Sequence, residues 1–196
     1  MALHAPERHP HDAEPTATAP GAGTPATGIP LTGTQAKVFR YITAALRLSL
    51  GWIFLWAFLD KLFGLGHETA SKQSWLNGGS PTNGFLAHAT TGPFSGLYHH
   101  FAGHAWADWL FMLGLLGIGI ALIAGVAMRA AAVCGVVLVV MMWSAVLPPE
   151  NNVFMDEHII YALTLVSLTL VHAGHTLGLG PIWERLPLVQ RYSFLR

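Results

Sequence analysis

The sequence predicts an all-α, polytopic membrane protein that is built as a bundle of four transmembrane helices. Three observations lead to this fold class. Of the 196 residues, 53% are hydrophobic and 10% are charged, the mean hydropathy is +0.47, and the apolar residues fall into four long runs. Soluble domains usually carry about 25% charged residues, and about 20 consecutive apolar residues span a bilayer. The lipid bilayer is therefore the first predicted partner.

The composition also excludes several classes of protein. Lys plus Arg and Asp plus Glu both number 10, so there is no basic excess that would indicate nucleic acid binding. Cys134 is the single cysteine, which rules out an intrachain disulfide, a Cys-x-x-Cys pair and a thiolate zinc site. We predict no metal site and detect no cofactor motif.

The apolar runs divide the chain into a tail, a membrane domain and a second tail. Residues 1–35 are rich in Ala, Pro, Thr and Gly and predict a disordered tail that stays on the protein. Residues 36–181 form the membrane domain, and residues 182–196 predict an interfacial segment. The predicted spans are Lys37 to about Phe63, Ala105 to about Ala127, Ala130 to Leu147 and Ile159 to about Leu177.

Residues 65–104 connect the first two spans, and their aromatic side chains favour a loop that lies on the membrane surface and covers the bundle. Cations predict the side of the membrane on which it lies. Seven cations fall on the side of the two termini and two on the side of this loop, namely Arg8, Lys37, Arg40, Arg129, Arg185, Arg191 and Arg196 against Lys61 and Lys72. Cytoplasmic segments are enriched in cations. We therefore expect a bacterial plasma membrane protein with both termini in the cytoplasm and an extracytoplasmic loop.

A short polar turn from Pro148 to His158 separates the third and fourth spans, and chemistry on this chain is most plausible there. Glu150, Asp156 and His158 are candidate catalytic groups for handling protons. Asp156 also stands where the amino end of a helix favours negative charge, so a purely structural role is the alternative.

Arg47 lies about 15 Å into the first span from Lys37, at about 1.5 Å per residue. A charge at that depth is costly and usually faces a partner or a polar cavity. His172 on the fourth predicted helix lies at a similar depth, so both are candidates for a pocket that binds substrate or quinone. The alternative for Arg47 is that it bonds carbonyls of a neighbouring helix.

Four further residues of the first span are candidates for substrate or quinone binding. Lys61 could attract an anion or a quinone oxygen, with Asp60 orienting it, and Trp52 and Trp56 could form a stacking wall one helical turn apart. The alternatives are a self-neutralising Asp60–Lys61 pair and ordinary packing of the two indoles.

Small residues recur every four positions in the second span, at Gly117, Ala121 and Gly125. Such a stripe lets helices approach closely, and it predicts a contact face for a homo-oligomer or for a second redox subunit.

Five blocks resemble the DoxX/DoxD group of bacterial membrane proteins: LGWIFLWAFLDKLFGLG (50–66), WLNGGSPTNGFL (75–86), LPPENN (147–152), DEHIIY (156–161) and AGHTLGLG (173–180). The resemblance covers about residues 36–190 and implies the same four-helix layout. The DoxD branch implies the large, membrane subunit of a thiosulfate:quinone oxidoreductase, which converts thiosulfate to tetrathionate and passes the electrons to quinone.

Two functions remain open at this point. The chain is either such a subunit of a quinone-linked oxidoreductase, or a non-catalytic membrane protein. The second class includes an accessory or scaffold subunit of a respiratory or redox complex and a small permease-like protein.

Overall fold

The computed structural model describes residues 31–195, and this part of the chain is helical and contains no β-strand. Most of the predicted disordered tail, residues 1–35, lies outside the described residues. The α-helices are α1 (Gly33–Phe63), α2 (Ser95–Phe101), α3 (Ala105–Ala124), α4 (Met128–Ala145), α5 (Glu157–Leu170), α6 (Gly180–Trp183) and α7 (Pro187–Arg191).

Helix α1 begins at Gly33, four residues before the predicted start, because Thr32 and Gln35 form a capping box. The Thr32 hydroxyl accepts a hydrogen bond from the Gln35 amide (3.4 Å), and the Gln35 side-chain oxygen accepts one from the Thr32 amide (3.0 Å). The helix ends at Gly64, whose φ of 68° is a left-handed conformation that suits glycine. Its 31 residues measure about 46 Å, which exceeds the hydrocarbon thickness of a bilayer.

Three helices of the described chain are long and apolar enough to cross a membrane, namely α1, α3 and α4. The fourth apolar helix, α5, has 14 residues. The predicted end of the fourth span at Leu177 is wrong, because α5 stops at Leu170 and both His172 (φ 51°) and Leu177 (φ 54°) are left-handed. Hydropathy predicts His172 on the fourth helix. The structure places it in the segment that follows α5.

Helix α1 packs along α3, α3 along α4, and α4 along α5. The first pair is antiparallel, since Arg47 meets the end of α3 at Leu122 while Leu55 meets Gly119, nearer its start. A tight turn at Gly125 joins α3 to α4. The core between the helices is apolar and includes Leu50, Phe54, Leu115, Ile118, Leu122, Val139, Leu165 and Leu168.

Glycine residues allow close packing in two of these helix pairs, α1 with α3 and α4 with α5. A Cβ at Gly119 would lie 2.8 Å from the Leu55 amide nitrogen, and one at Gly135 would lie 2.7 Å from a Leu165 methyl carbon. The predicted stripe is different: Gly117 has nothing within 4 Å of a Cβ position, and Gly125 ends α3 against Gly174. Within the described residues, Ala121 packs against the core, while Gly117 is not a close helix contact, and an oligomer contact along the stripe stays a prediction.

The long connection between α1 and α3 is fastened to the carboxyl end of α4. The Thr91 amide donates to the Ala145 carbonyl (2.9 Å), and the Tyr98 hydroxyl donates to the Met141 carbonyl (3.0 Å). At Gly92, a Cβ would clash with the Leu147 carbonyl. The connection thus packs on the end of the helices from which the α4–α5 turn leaves.

Candidate functional site

A groove of about 380 Å³ lies along the second half of α1, at the end where the long connection begins. Its lining is mostly apolar with three charged residues, and consists of Trp52, Ile53, Trp56, Ala57, Asp60, Lys61 and Glu68. Four of these, Trp52, Trp56, Asp60 and Lys61, are residues that the sequence predicted for substrate or quinone binding. The structure therefore brings them together in one place.

The aromatic wall of the groove is formed by two indoles, and an imidazole packs against one of them. The Trp52 and Trp56 ring centroids are 5.7 Å apart, and the His67 ring meets Trp56 edge-on at 5.2 Å. Trp52 is 52% exposed, which is unlike a packed core residue. A flat ring that enters between Trp52 and the lipid would find an apolar face to lie on.

Asp60 fixes the rim of the groove instead of orienting Lys61. Its carboxylate is buried and accepts hydrogen bonds from the Glu68 amide (3.0 Å) and the His67 amide (3.3 Å). These bonds fold residues 64–68 back onto α1 and bring Glu68 to the groove.

No carboxylate within residues 31–195 lies within 4.0 Å of the Lys61 ammonium. The pair with Asp60 is thus not the self-neutralising contact that the sequence allowed. Lys61 keeps its hydrogen-bond donors and its charge for a ligand in the groove.

Arg47 does not reach this groove. Its side chain is fully buried, and its two terminal nitrogens donate to the carbonyls of Leu122, Ile123 (2.8 Å), Thr176 (3.2 Å) and Leu177 (2.9 Å). The guanidinium joins the carboxyl end of α3 to the segment after α5, where carbonyls lack helical partners. This geometry favours the packing role that the sequence left open.

His172, predicted beside Arg47, instead lines a second pocket of about 190 Å³ at this end of the bundle. Arg47 is not among the residues that line it. The structure does not bring Arg47 and His172 into one pocket, because the chain turns sharply after Leu170 and His172 is exposed.

The polar turn brings Asp156 and His158 together. One Asp156 oxygen accepts from the His158 amide (3.0 Å) and caps α5, while the other lies 2.8 Å from His158 Nδ1. A carboxylate that holds an imidazole in this way can orient it for proton transfer. Glu157 also has an oxygen within 4.8 Å of these groups, whereas Glu150 is exposed and has no hydrogen bond recorded in the described chain.

The sequence did not reveal Asp108, which is buried in the first turn of α3. One of its oxygens accepts from the Ser80 hydroxyl (2.8 Å), the Thr82 hydroxyl (2.7 Å) and the Thr82 amide (3.0 Å). The signal in the sequence is a charged residue, Asp108, between Trp106 and Trp109 at the start of an apolar span. The sequence did not reveal Glu68 either, because only the folded rim brings that residue to the groove.

Long apolar helices with charged groups at their ends define a multi-pass integral membrane protein. The DoxX family model matches residues 42–148, which is more than half of the chain. The chain belongs to the DoxX family. No curated protein and no solved structure is significantly similar to it. The family membership confirms the broader resemblance found in the sequence, and the DoxD branch stays a proposal.

Proposed function

We propose that this chain is the membrane subunit of a quinone-linked oxidoreductase, and that the α1 groove binds the quinone head group. The observation that carries the proposal is the combination of an indole pair, of which Trp52 is exposed, with an ammonium group that has no carboxylate partner in the described chain. A quinone ring needs an apolar face and a donor for its carbonyl oxygen. Trp52, Trp56 and Lys61 supply these within about two turns of one helix.

The chemistry follows from the groups around the groove. The Lys61 ammonium would donate to a quinone carbonyl and stabilise the negative charge that develops on this oxygen as electrons arrive. Reduction to quinol takes two electrons and two protons. Glu68, on the rim, would donate one proton to the quinone. The Asp156–His158 pair, at the same end of the bundle, would relay the second proton. The electrons would come from a second redox subunit.

The DoxD-type reaction is the finer form of the proposal. Two thiosulfate dianions lose two electrons and join through a new S–S bond to give tetrathionate, and quinone accepts those electrons. With α5 as a fourth span, both termini would be cytoplasmic. The groove would then open on the outer side, where Lys61 and Lys72 attract an anion from solution.

Binding of an azidoquinone to the purified chain in lipid nanodiscs tests the groove directly. We expect photolabelled peptides that contain residues 52–68. Lys61→Ala should weaken binding about tenfold or more, since a charge-assisted hydrogen bond contributes about 1.5–3 kcal/mol. The matched control is Lys72→Ala, which removes an exposed cation from outside the groove and should leave quinone affinity unchanged. Equal affinity of the Lys61→Ala variant and the wild type would reject this site.

Catalysis is a separate test. The chain is expressed with the product of its chromosomal neighbour, and quinol formation is followed with thiosulfate as the electron donor. Quinone binding without quinol formation would retain the groove and remove thiosulfate as the substrate.

A non-catalytic accessory or scaffold subunit, or a small permease-like protein, is the alternative. One observation favours it: the buried charged residues Arg47, Asp60 and Asp108 all bind main-chain groups and thus have structural partners. If the chain neither binds quinone nor supports quinol formation but copurifies with a redox complex, the scaffold function replaces the proposed one.

A further inference from the structure

The second pocket lies at the end of the bundle opposite the groove, where α3, α4 and α5 meet the carboxyl-terminal segment. We propose that it binds the phosphate group of an anionic glycerophospholipid. The pocket of about 190 Å³ is lined by Gly125, Ala127, Met128, Arg129, Thr169, His172, Gly174, His175, Gly180, Trp183 and Glu184. This inference is independent of the proposed function, because the two sites share no residue.

Cationic and titratable side chains converge on this pocket from two segments. Arg129 comes from the start of α4, His172 and His175 follow α5, and the two imidazole centroids are 5.6 Å apart. Arg129 uses one terminal nitrogen to donate to the Ser193 carbonyl (2.9 Å). Its remaining N–H groups have no acceptor recorded within the described residues, and a planar guanidinium suits phosphate oxygens.

Glu184 is the one acid among the lining residues, and it does not reverse the sign of the pocket. One of its oxygens lies 2.9 Å from His175 Nε2. A protonated His175 would offset the carboxylate charge, and Arg129 would then set the charge that a ligand meets. A neutral His175 would only donate a hydrogen bond to that oxygen, and Glu184 would then balance the charge of Arg129.

The amino end of α4 adds to this positive field. Ala127, the residue that precedes the helix, has a φ of 48°, and no side chain caps the first turn. That turn contains no acidic residue, so its amide groups and the positive end of the helix dipole are not neutralised locally. The 18 residues of α4 make this a full helix end. The positive field of this helix end adds to the attraction of Arg129 and the two imidazoles for an anion, and these side chains remain the basis of the site.

The surroundings of the pocket select a lipid over free phosphate. Apolar side chains within two positions of a lining residue along the chain are exposed, among them Leu170 (73%), Leu177 (64%) and Ile182 (63%). An acyl chain lying on these side chains would bury apolar surface that the protein itself leaves uncovered. Anionic lipid head groups bind basic pockets between membrane helices in this way.

Native mass spectrometry of the full chain, released from nanodiscs that contain phosphatidylglycerol and phosphatidylcholine, tests the proposal. We expect retained phosphatidylglycerol and little retained phosphatidylcholine. Arg129→Gln should weaken phosphatidylglycerol retention about fivefold, since one cation near a lipid phosphate contributes about 1 kcal/mol. Arg129→Lys, which keeps the charge, should restore most of it. The matched control is Arg185→Gln, an exposed arginine outside the pocket, which should change retention little.

His172→Asn gives a second, independent variant, because asparagine tolerates the left-handed conformation that His172 adopts. We expect it to fold and to bind phosphatidylglycerol more weakly.

A comparison with inorganic phosphate distinguishes a lipid from a soluble ligand. If inorganic phosphate protects the protein against heat as strongly as phosphatidylglycerol does, the ligand is a soluble phosphate and the lipid proposal fails. Equal retention of phosphatidylglycerol by the wild type, Arg129→Gln and Arg185→Gln would also overturn it.

Discussion

The buried charged side chains of this protein act mainly on the backbone. Arg47 donates to carbonyls at the end of α3 and after α5, while Asp60 and Asp108 accept from amides of the long connection. Backbone groups in irregular segments need partners where water is scarce. Each of these charges therefore stabilises a place where a helix ends or a connection begins.

Arg47 gives the sharpest prediction at the scale of one residue. Arg47→Gln removes the donor of four carbonyls at this helix junction, of which only that of Leu122 keeps another, the Gly125 amide. We expect it to lower the free energy of unfolding by about 3–5 kcal/mol. Arg47→Lys should be intermediate, because one ammonium cannot reach carbonyls of two separate segments at once. The measurement is unfolding in detergent micelles, followed by circular dichroism.

Arg40→Gln is the matched control for Arg47. Arg40 lies on the same helix but is exposed, and its side chain makes one hydrogen bond, to the Thr176 hydroxyl at 3.3 Å. Its loss should change the free energy of unfolding by less than about 0.5 kcal/mol. Equal stability of the Arg47→Gln and Arg40→Gln variants would show that the guanidinium does not hold this junction.

At the scale of helices, the positions of glycine decide which faces meet. Hydropathy located α3 well but did not show which of its several small residues faces α1. Gly117 of the predicted stripe lies off that contact, since no atom lies within 4 Å of its Cβ position, and Gly119 forms the contact. A spacing of four residues shows that small residues share one face of a helix. It does not show which face of that helix packs against a neighbouring helix.

This difference can be measured with two alanine substitutions. Gly119→Ala places a Cβ 2.8 Å from the Leu55 amide nitrogen, so the α1–α3 pair must separate or shift, and we expect a loss of about 1–3 kcal/mol in the free energy of unfolding. Gly117→Ala meets no atom within 4 Å. Its higher helix propensity should leave stability unchanged or raise it by up to about 1 kcal/mol.

Unfolding of the two variants in detergent, measured side by side with the wild type, separates these effects. A large loss for Gly117→Ala together with a neutral Gly119→Ala would contradict the observed packing. A loss for Gly117→Ala that grows weaker on dilution of the protein would instead indicate the predicted oligomer contact.

At the scale of the whole molecule, the sequence predicts best what lies within one helix. Trp52 and Trp56 were predicted as a pair because they lie one turn apart, and Asp60 and Lys61 were predicted because they are charged residues near the end of the same helix. The pocket of His172 and the Arg47 partners at Thr176 and Leu177 were not predicted, since both depend on a sharp turn after Leu170 that hydropathy reads as continued helix. Glu68 and Asp108 were missed for a related reason, because hydrogen bonds between distant segments give them their place.

The last prediction concerns the arrangement of the whole chain in the membrane. Thr91 and Tyr98 bond to the carboxyl end of α4, so the long connection and the Glu150 turn should face the same side of the bilayer. With Cys134 replaced by alanine, we would introduce Asn83→Cys, Glu150→Cys or Arg185→Cys, all at exposed positions, and label intact cells with a membrane-impermeant maleimide.

The cation distribution predicts that the cysteines at positions 83 and 150 react from outside and the one at position 185 reacts only after the cells are opened. Reaction of positions 83 and 150 from opposite sides would contradict the fold, because the hydrogen bonds to α4 could not then form. Reaction of both only from inside would leave the fold intact and reverse the orientation, which would place the α1 groove where a thiosulfate from outside could not reach Lys61. The same three variants therefore test the architecture and the finer functional proposal separately.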